Sequence, residues 1–347
     1  MQPTAQAAFP ARTAWPDIAK GFGIILVVVG HTWRGLAEAG ILAKDDLYYA
    51  LDAGIYAFHM PLFFFLSGWF FPKVVVRDSP TTLLKRVFWR LFYPMCLWTY
   101  IFISVKILAG GSANEPVGFQ DLLRLPVPGY LHLWFLWALI VLTLVGIVLR
   151  PLLMRWLMPS LMGVIVVSLV MNYYGIFYGN EFFRAAVVSS IYFFLGAAFG
   201  ARGALPSSGR AAALALAAFV VADGAAIYWG GQYHVFVGMG IAISATLAVI
   251  VILRHLDDRF GGRGMTGRAL DILALLGRLS LTIYMVHTIA SAMVRIVLLK
   301  LGIVSLPLHL VLGVSAGVIG PLILHIPSLS VAMRAMTNTL PFRRHRT

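Results

Sequence analysis

Ile18-Ala-Lys-Gly-Phe-Gly-Ile-Ile-Leu-Val-Val-Val-Gly-His31, with Asp17 just before it, is an apolar run holding one cation and one imidazole. At about 100° per residue, the eleven steps from Lys20 to His31 return almost to the starting face of a helix. At about 1.5 Å per residue they lie roughly 16 Å apart along the axis, about half a hydrocarbon core. Polar groups at that depth are costly in lipid and mark a pathway or a reaction site. The stretch therefore predicts a membrane helix with a functional stripe.

The rest of the chain agrees. Its 347 residues are 60% hydrophobic and 12% charged, with mean hydropathy +0.88. Soluble domains are about half apolar and a quarter charged, so the composition predicts an integral membrane protein. Runs of about twenty apolar residues favour helices over the weak alternation of a barrel. The first run reads as a retained span, since His31-Thr-Trp-Arg34 is a poor exit sequence for a cleaved signal.

The reading is an all-α polytopic bundle of ten helices near 16–36, 48–71, 87–108, 131–149, 160–177, 182–200, 211–229, 235–253, 279–299 and 306–326. Segments such as Gly110-Gly-Ser, Pro126-Val-Pro-Gly129 and Gly261-Gly-Arg-Gly264 separate them. Eight spans would require 160–177 and 182–200 to form a re-entrant hairpin. The expected organisation is a cytoplasmic segment 1–15, a membrane domain 16–326 and a basic cytoplasmic tail 327–347.

The net charge of +14 is not a nucleic-acid signature, because its distribution follows topology. Alternate loops and both ends of the chain carry 20 of the 27 basic residues, among them Lys85, Arg86, Arg90, Arg150, Arg202, Arg254 and Arg278. That side is expected to be cytoplasmic, with both termini there. Glu38, Asp45, Asp46, Glu115, Asp121 and Glu181 lie on the other side. The Arg343-Arg-His-Arg346 tail reads as an anchor on anionic lipid.

Two further stretches bring polar groups to depth. In Phe58-His-Met-Pro-Leu-Phe-Phe-Phe-Leu-Ser-Gly-Trp69, Pro61 is expected to kink the helix after His59, and Ser67-Gly68 offers a surface for close approach. In Ser280-Leu-Thr-Ile-Tyr-Met-Val-His287 a third histidine reaches mid-depth. His31, His59 and His287 can converge, although a lone histidine in a span is commonly only a hydrogen-bond partner between helices. Cys96 is the only cysteine and no carboxylate matches the histidines in depth, so no metal is expected.

The segments Asp17-Ile-Ala-Lys-Gly…Val-Gly-His31 and Phe58-His-Met-Pro-Leu-Phe-Phe-Phe-Leu-Ser-Gly68 resemble the acyltransferase 3 family of integral membrane O-acyltransferases. Lys85-Arg-Val-Phe-Trp-Arg-Leu-Phe-Tyr-Pro94, Leu133-Trp-Phe-Leu-Trp137 and Gly277-Arg-Leu-Ser-Leu-Thr-Ile-Tyr-Met-Val-His287 extend the likeness in the expected order. The Asp-x-x-Lys opening is closer to the sugar O-acetylase-like branch than to the branch with an appended soluble domain. The family signature of a basic residue, ten others and a histidine falls on Lys20 and His31. Lys20 stands where many members have arginine, which keeps the charge and loses the bidentate grip.

The resemblance implies transfer of an acyl group, often acetyl, from cytoplasmic acyl-CoA to a hydroxyl of a cell-surface or lipid-linked glycan, in a bacterial cytoplasmic membrane. That chemistry needs a base, a counter-charge for the donor phosphates and an oxyanion donor. His31 suits the base, with Asp17 orienting Lys20. Lys20, Arg86 and Arg90 are candidates for the donor phosphates, the two arginines reading equally as topology signals. His59, Ser67, Trp134 and His287 are candidates for the oxyanion donor or the substrate path. The expected partners are acyl-CoA, a glycan or lipid-linked sugar and membrane lipid. The competing reading is a secondary transporter or glycan carrier, which midplane histidines and a proline-broken helix would also serve.

Overall fold

A computed structural model of the chain describes residues 14–325 except residue 204. The proposed basic tail and nearly all of the N-terminal segment lie outside the described residues. Every described regular element is helical. In chain order they are α1 Trp15–Glu38, α2 Asp46–Arg77, α3 Pro80–Val87, α4 Tyr93–Ala109, α5 Trp134–Val148, α6 Arg150–Arg155 and α7 Leu157–Tyr173. They continue with α8 Arg184–Arg202, α9 Gly209–Tyr228, α10 Val235–Phe260, α11 Gly264–Arg278, α12 Ser280–Lys300 and α13 Leu306–Ile319.

Among the described residues, eight helical segments are long and apolar enough to cross a membrane. The segment Pro80–Ser112, which joins α3 and α4, counts as one of them. The other two predicted positions hold α1, made less apolar by Asp17, Lys20, His31 and Arg34, and α7, an apolar helix of 17 residues. The protein is an all-α polytopic bundle.

Hydrogen bonds gather the basic loops at one end. Arg150 Nε donates to Val75 O at 3.1 Å, Arg254 Nη1 to Leu205 O at 2.6 Å, and Ala14 N to Asp257 Oδ2 at 3.1 Å. At the opposite end, Arg295 Nη1 donates to Gly35 O at 2.9 Å and Asn114 Nδ2 to Glu38 Oε2 at 3.1 Å. The first is the basic end of the bundle and the second the acidic end.

Bare backbone sets two of the closest helix contacts. A Cβ on Gly68 would collide with the carbonyl of Phe193, and one on Gly196 with that of Phe65, so α2 and α8 meet without side chains between them. The small surface expected at Ser67-Gly68 is thus taken by a neighbouring helix. In the same way Gly21 abuts Leu273 O and Gly277 abuts Asp17 O, clamping α11 along the basic half of α1.

α11 was expected to be loop, and α10 was expected to end near 253. Instead α10 runs to Phe260, and after a break at Gly261-Gly262 the chain forms a helix that buries Gly267, Leu270, Ala274 and Gly277 on one face. α2 stays helical through Pro61. A wide turn of π-helix spans Phe88–Phe92, where Tyr93 N–H reaches Phe88 O and Pro94 has no N–H to give Arg90.

Candidate active site

α1, α2, the turn before α5, and α12 bring four histidines toward the bundle centre. His31 and His287 approach as expected, with ring centroids 5.2 Å apart. The third member of the group is His132, 5.7 Å from His31 and 5.3 Å from His287. His59 stands apart. Its Nδ1 donates to Ile55 O at 2.5 Å, and its ring packs 4.6 Å from Tyr56, which also lies 6.4 Å from the His31 ring. His31 therefore faces the bundle interior, not lipid.

Exposure separates their roles. His31 is half-buried, whereas His132 is 6% and His287 0% exposed. The reachable imidazole thus sits on two sealed ones. His287 Nδ1 lies 2.8 Å from Tyr284 O and 3.0 Å from Ile283 O. Carbonyls only accept, so this nitrogen carries the proton, and neutral His287 presents Nε2 as an acceptor. That chemistry disqualifies neutral His287 as an oxyanion donor.

Polar atoms without partners collect here. Tyr56 Oη, His132 Nε2, His287 Nε2 and Thr288 Oγ1 are all buried and make no hydrogen bond. Each such group costs about 1–3 kcal/mol. A packed core avoids them, and a reaction site accumulates them.

A cavity of about 380 Å³ approaches this cluster from the basic end. Its polar lining is Asp17, Lys20, Ser67, Arg278, Ser280 and Tyr284, and its apolar wall includes Ile24, Met60, Leu91 and Phe135. Lys20 Nζ lies 3.6 Å from Asp17 Oδ1, one helical turn away, and 5.4 Å above the Phe70 ring. Arg278, at the end of α11, is exposed and forms no salt bridge among the described residues. Tyr284 lines the cavity and its ring packs 5.3 Å from His132 and 6.2 Å from His287, while the histidines themselves are not in the lining. One aromatic side chain thus contacts both the cavity and the imidazoles.

Of the other predicted residues, Ser67 lines the cavity and donates its hydroxyl to Phe63 O at 2.8 Å. Trp134 is not in the lining; it packs 6.2 Å from Phe64. Arg86 pairs with Asp78, which also accepts from Arg77 Nε at 2.9 Å. Hydrogen bonding from Arg77, aided by Arg86, holds the Asp78 carboxyl below its ordinary range. Arg90 is exposed on the wide turn, next to the cavity residue Leu91.

Toward the acidic end, Arg34 grips Asp52 with two hydrogen bonds of 2.7 Å, and its guanidinium carbon lies 3.3 Å from the Tyr56 ring centroid. Together with Arg295, Asn114 and Glu38 this forms a polar collar one turn beyond His31.

His132, Arg278 and the Arg34–Asp52 pair were missed from sequence. His132 immediately precedes Leu133-Trp-Phe-Leu-Trp137, so the motif pointed within one residue of it. It lies in the 3-10 turn Leu131–Leu133, where helical periodicity is silent. Leu131 there adopts φ 49°, a left-handed conformation costing a non-glycine residue roughly 1–2 kcal/mol.

A family model described as an acyltransferase domain matches residues 13–326. The chain belongs to the acyltransferase 3 family. Two curated relatives, both called nodulation protein NolL, share local similarity with it. The one from Sinorhizobium fredii (strain NBRC 101917 / NGR234) is 32% identical over 127 residues, 36% of this chain and 33% of that protein. The one from Mesorhizobium japonicum (strain LMG 29417 / CECT 9101 / MAFF 303099) is 31% identical over 127 residues, 35% of this chain and 32% of that protein. The matched region thus spans about a third of these relatives' length. No solved structure matches the chain. Within this acyltransferase family, the cavity and the histidine cluster lie on helices inside the matched region. Among the described residues no group of three His, Cys, Asp or Glu side chains is set to hold a metal ion.

Proposed function

We propose that the protein transfers an acyl group, acetyl in the first instance, from acyl-CoA at the basic end to a hydroxyl of a glycan or lipid-linked sugar at the acidic end. The basic end then faces the cytoplasm of a bacterial inner membrane. The observation that supports this reading most is the half-buried His31, whose partner His287 packs on Tyr284 of the cation-rimmed cavity and which has the polar collar one turn away on its other side.

In the reaction the acceptor oxygen attacks the thioester carbonyl while His31 takes the hydroxyl proton. The C–S bond then breaks with its electron pair going to sulfur, and the imidazolium returns the proton to the thiolate. No atom of the protein is acylated: Ser67 commits its hydroxyl to Phe63 O, and Cys96 lies on α4 outside the cavity lining. Lys20 and Arg278 at the cavity mouth would meet the donor phosphates, with Arg86 and Arg90 further out. Ser280, on the cavity wall two helical turns before His287, lies along the path of the donor arm.

Membranes containing the protein, supplied with radiolabelled acetyl-CoA, should transfer label to a glycan fraction, and His31→Ala should abolish this with expression unchanged. Full transfer by His31→Ala would remove the base from the mechanism. Acceptor movement across the membrane without acyl transfer would favour a carrier.

A further inference from the structure

Three features meet at His132 and nothing in the proposed reaction uses them. Its ring completes a triangle with His31 and His287, all sides between 5.2 and 5.7 Å. The turn carrying it is pinned across 152 residues of sequence, because Tyr284 Oη donates to the His132 carbonyl. It also follows a strained residue, Leu131. The chain thus accepts backbone strain to hold this ring at the cluster, while His132 Nε2 stays buried and unpartnered.

We infer that His132 is a second functional imidazole: with His287 it accepts a hydrogen bond from the imidazolium formed on His31, stabilising that charge between acyl transfer and the return of the proton to sulfur. This rests on the acyl-transfer reading above. Neutral His31 has one N–H, and protonated His31 has two. The nitrogen that takes the acceptor proton faces the substrate and later gives that proton to sulfur. The N–H already present is therefore the one turned to His132 and His287, whose Nε2 atoms have no other partner, and it becomes a stronger donor once the ring is charged. His287 Nε2 is fixed as an acceptor by its Nδ1 bonds, and His132 accepts in its Nδ1–H tautomer. His132 exchanges no net proton, so it is a positioning residue for the base. An interaction that strengthens only when the ring becomes charged raises kcat and leaves substrate binding alone.

The elements packed around His31 bring polar groups toward it. α1 carries Arg34 one turn away, and α2 offers Tyr56 with His59 behind it. The turn before α5 carries His132, and α12 carries Tyr284, His287 and, near the acidic end, Arg295. The ring neighbours of His31 are Tyr56, His132 and His287, and the two imidazoles lie nearest, at 5.7 and 5.2 Å.

The test uses the full-length protein in lipid nanodiscs with radiolabelled acetyl-CoA and the glycan fraction extracted from the same membranes. His132→Gln should lower kcat about 10–100-fold, the value of one hydrogen bond to a charged group, with both KM values within about twofold. Tyr284→Phe, which keeps the ring and frees the His132 carbonyl, should lower kcat less. Added imidazole should restore part of the activity of His132→Gly. Wild-type kcat in His132→Gln overturns the inference alone. So does a loss that imidazole does not restore and that follows melting temperature, because His132 is then only packing. A wild-type protein that transfers no acyl group overturns the parent reading and this inference with it.

Discussion

Removing the exposed cation at the cavity mouth should weaken the donor and spare the chemistry. Lys20 is balanced by Asp17 at 3.6 Å, so Arg278 supplies the net positive charge of the lining. A phosphate about 5 Å from a guanidinium gains about 0.8 kcal/mol at the dielectric of water and about 3 kcal/mol at an effective value of 20. Arg278 is exposed, so the lower part of that range applies, about 1–2 kcal/mol. Arg278→Ala should therefore raise the acetyl-CoA KM by about 5–30-fold, with kcat within about twofold. The assay is initial-rate transfer of label at varied donor and saturating acceptor. Arg278→Lys should recover most of the loss, since charge and not bidentate geometry is at issue. The gap between wild type and Arg278→Ala should narrow as salt rises well above physiological strength. If Arg86→Ala or Arg90→Ala raises the donor KM and Arg278→Ala does not, the reasoning is refuted and the donor sits along α3.

Three other outcomes follow from the geometry. His31→Gln should cut kcat by about 10²–10⁴-fold, the usual worth of a general base, with normal membrane yield and little change in donor affinity by equilibrium binding. Asp52→Ala should raise the acceptor KM and leave the donor KM alone, because the collar lies beyond His31 from the cavity; equal effects on both would show that the two ends are not separate. Gly277→Leu should abolish folded protein, as judged by gel filtration in detergent. Its side chain would have to occupy the space of the Asp17 carbonyl, and wild-type yield would mean that α11 is not clamped to α1.

Much of this architecture was legible without coordinates. Hydropathy over twenty residues reports the cost of exposing polar backbone and side chains to lipid, so all ten predicted spans coincide with helices. Charge alternation is equally local, and it picked out the loops that hydrogen bonds gather at one end. Lys20 and His31 share a helix, so their separation was fixed by helical rise alone. The same logic failed at α11, whose basic residues and glycine-rich entry read as loop. Its helix is stabilised by the Gly21 and Gly277 contacts with α1, which no local pattern encodes.

The sequence by itself determined a membrane bundle, the alternation of its basic and acidic loops and one helix carrying a cation and an imidazole about 16 Å apart along the axis. Each follows from periodicity and solvation along the chain. Only tertiary structure decided which histidines meet. His59 turned to its own backbone and to Tyr56, while His132 was carried into the cluster from an irregular turn by a hydrogen bond to Tyr284. Neighbours separated by more than a hundred residues are chosen by packing, and packing is a property of the folded whole.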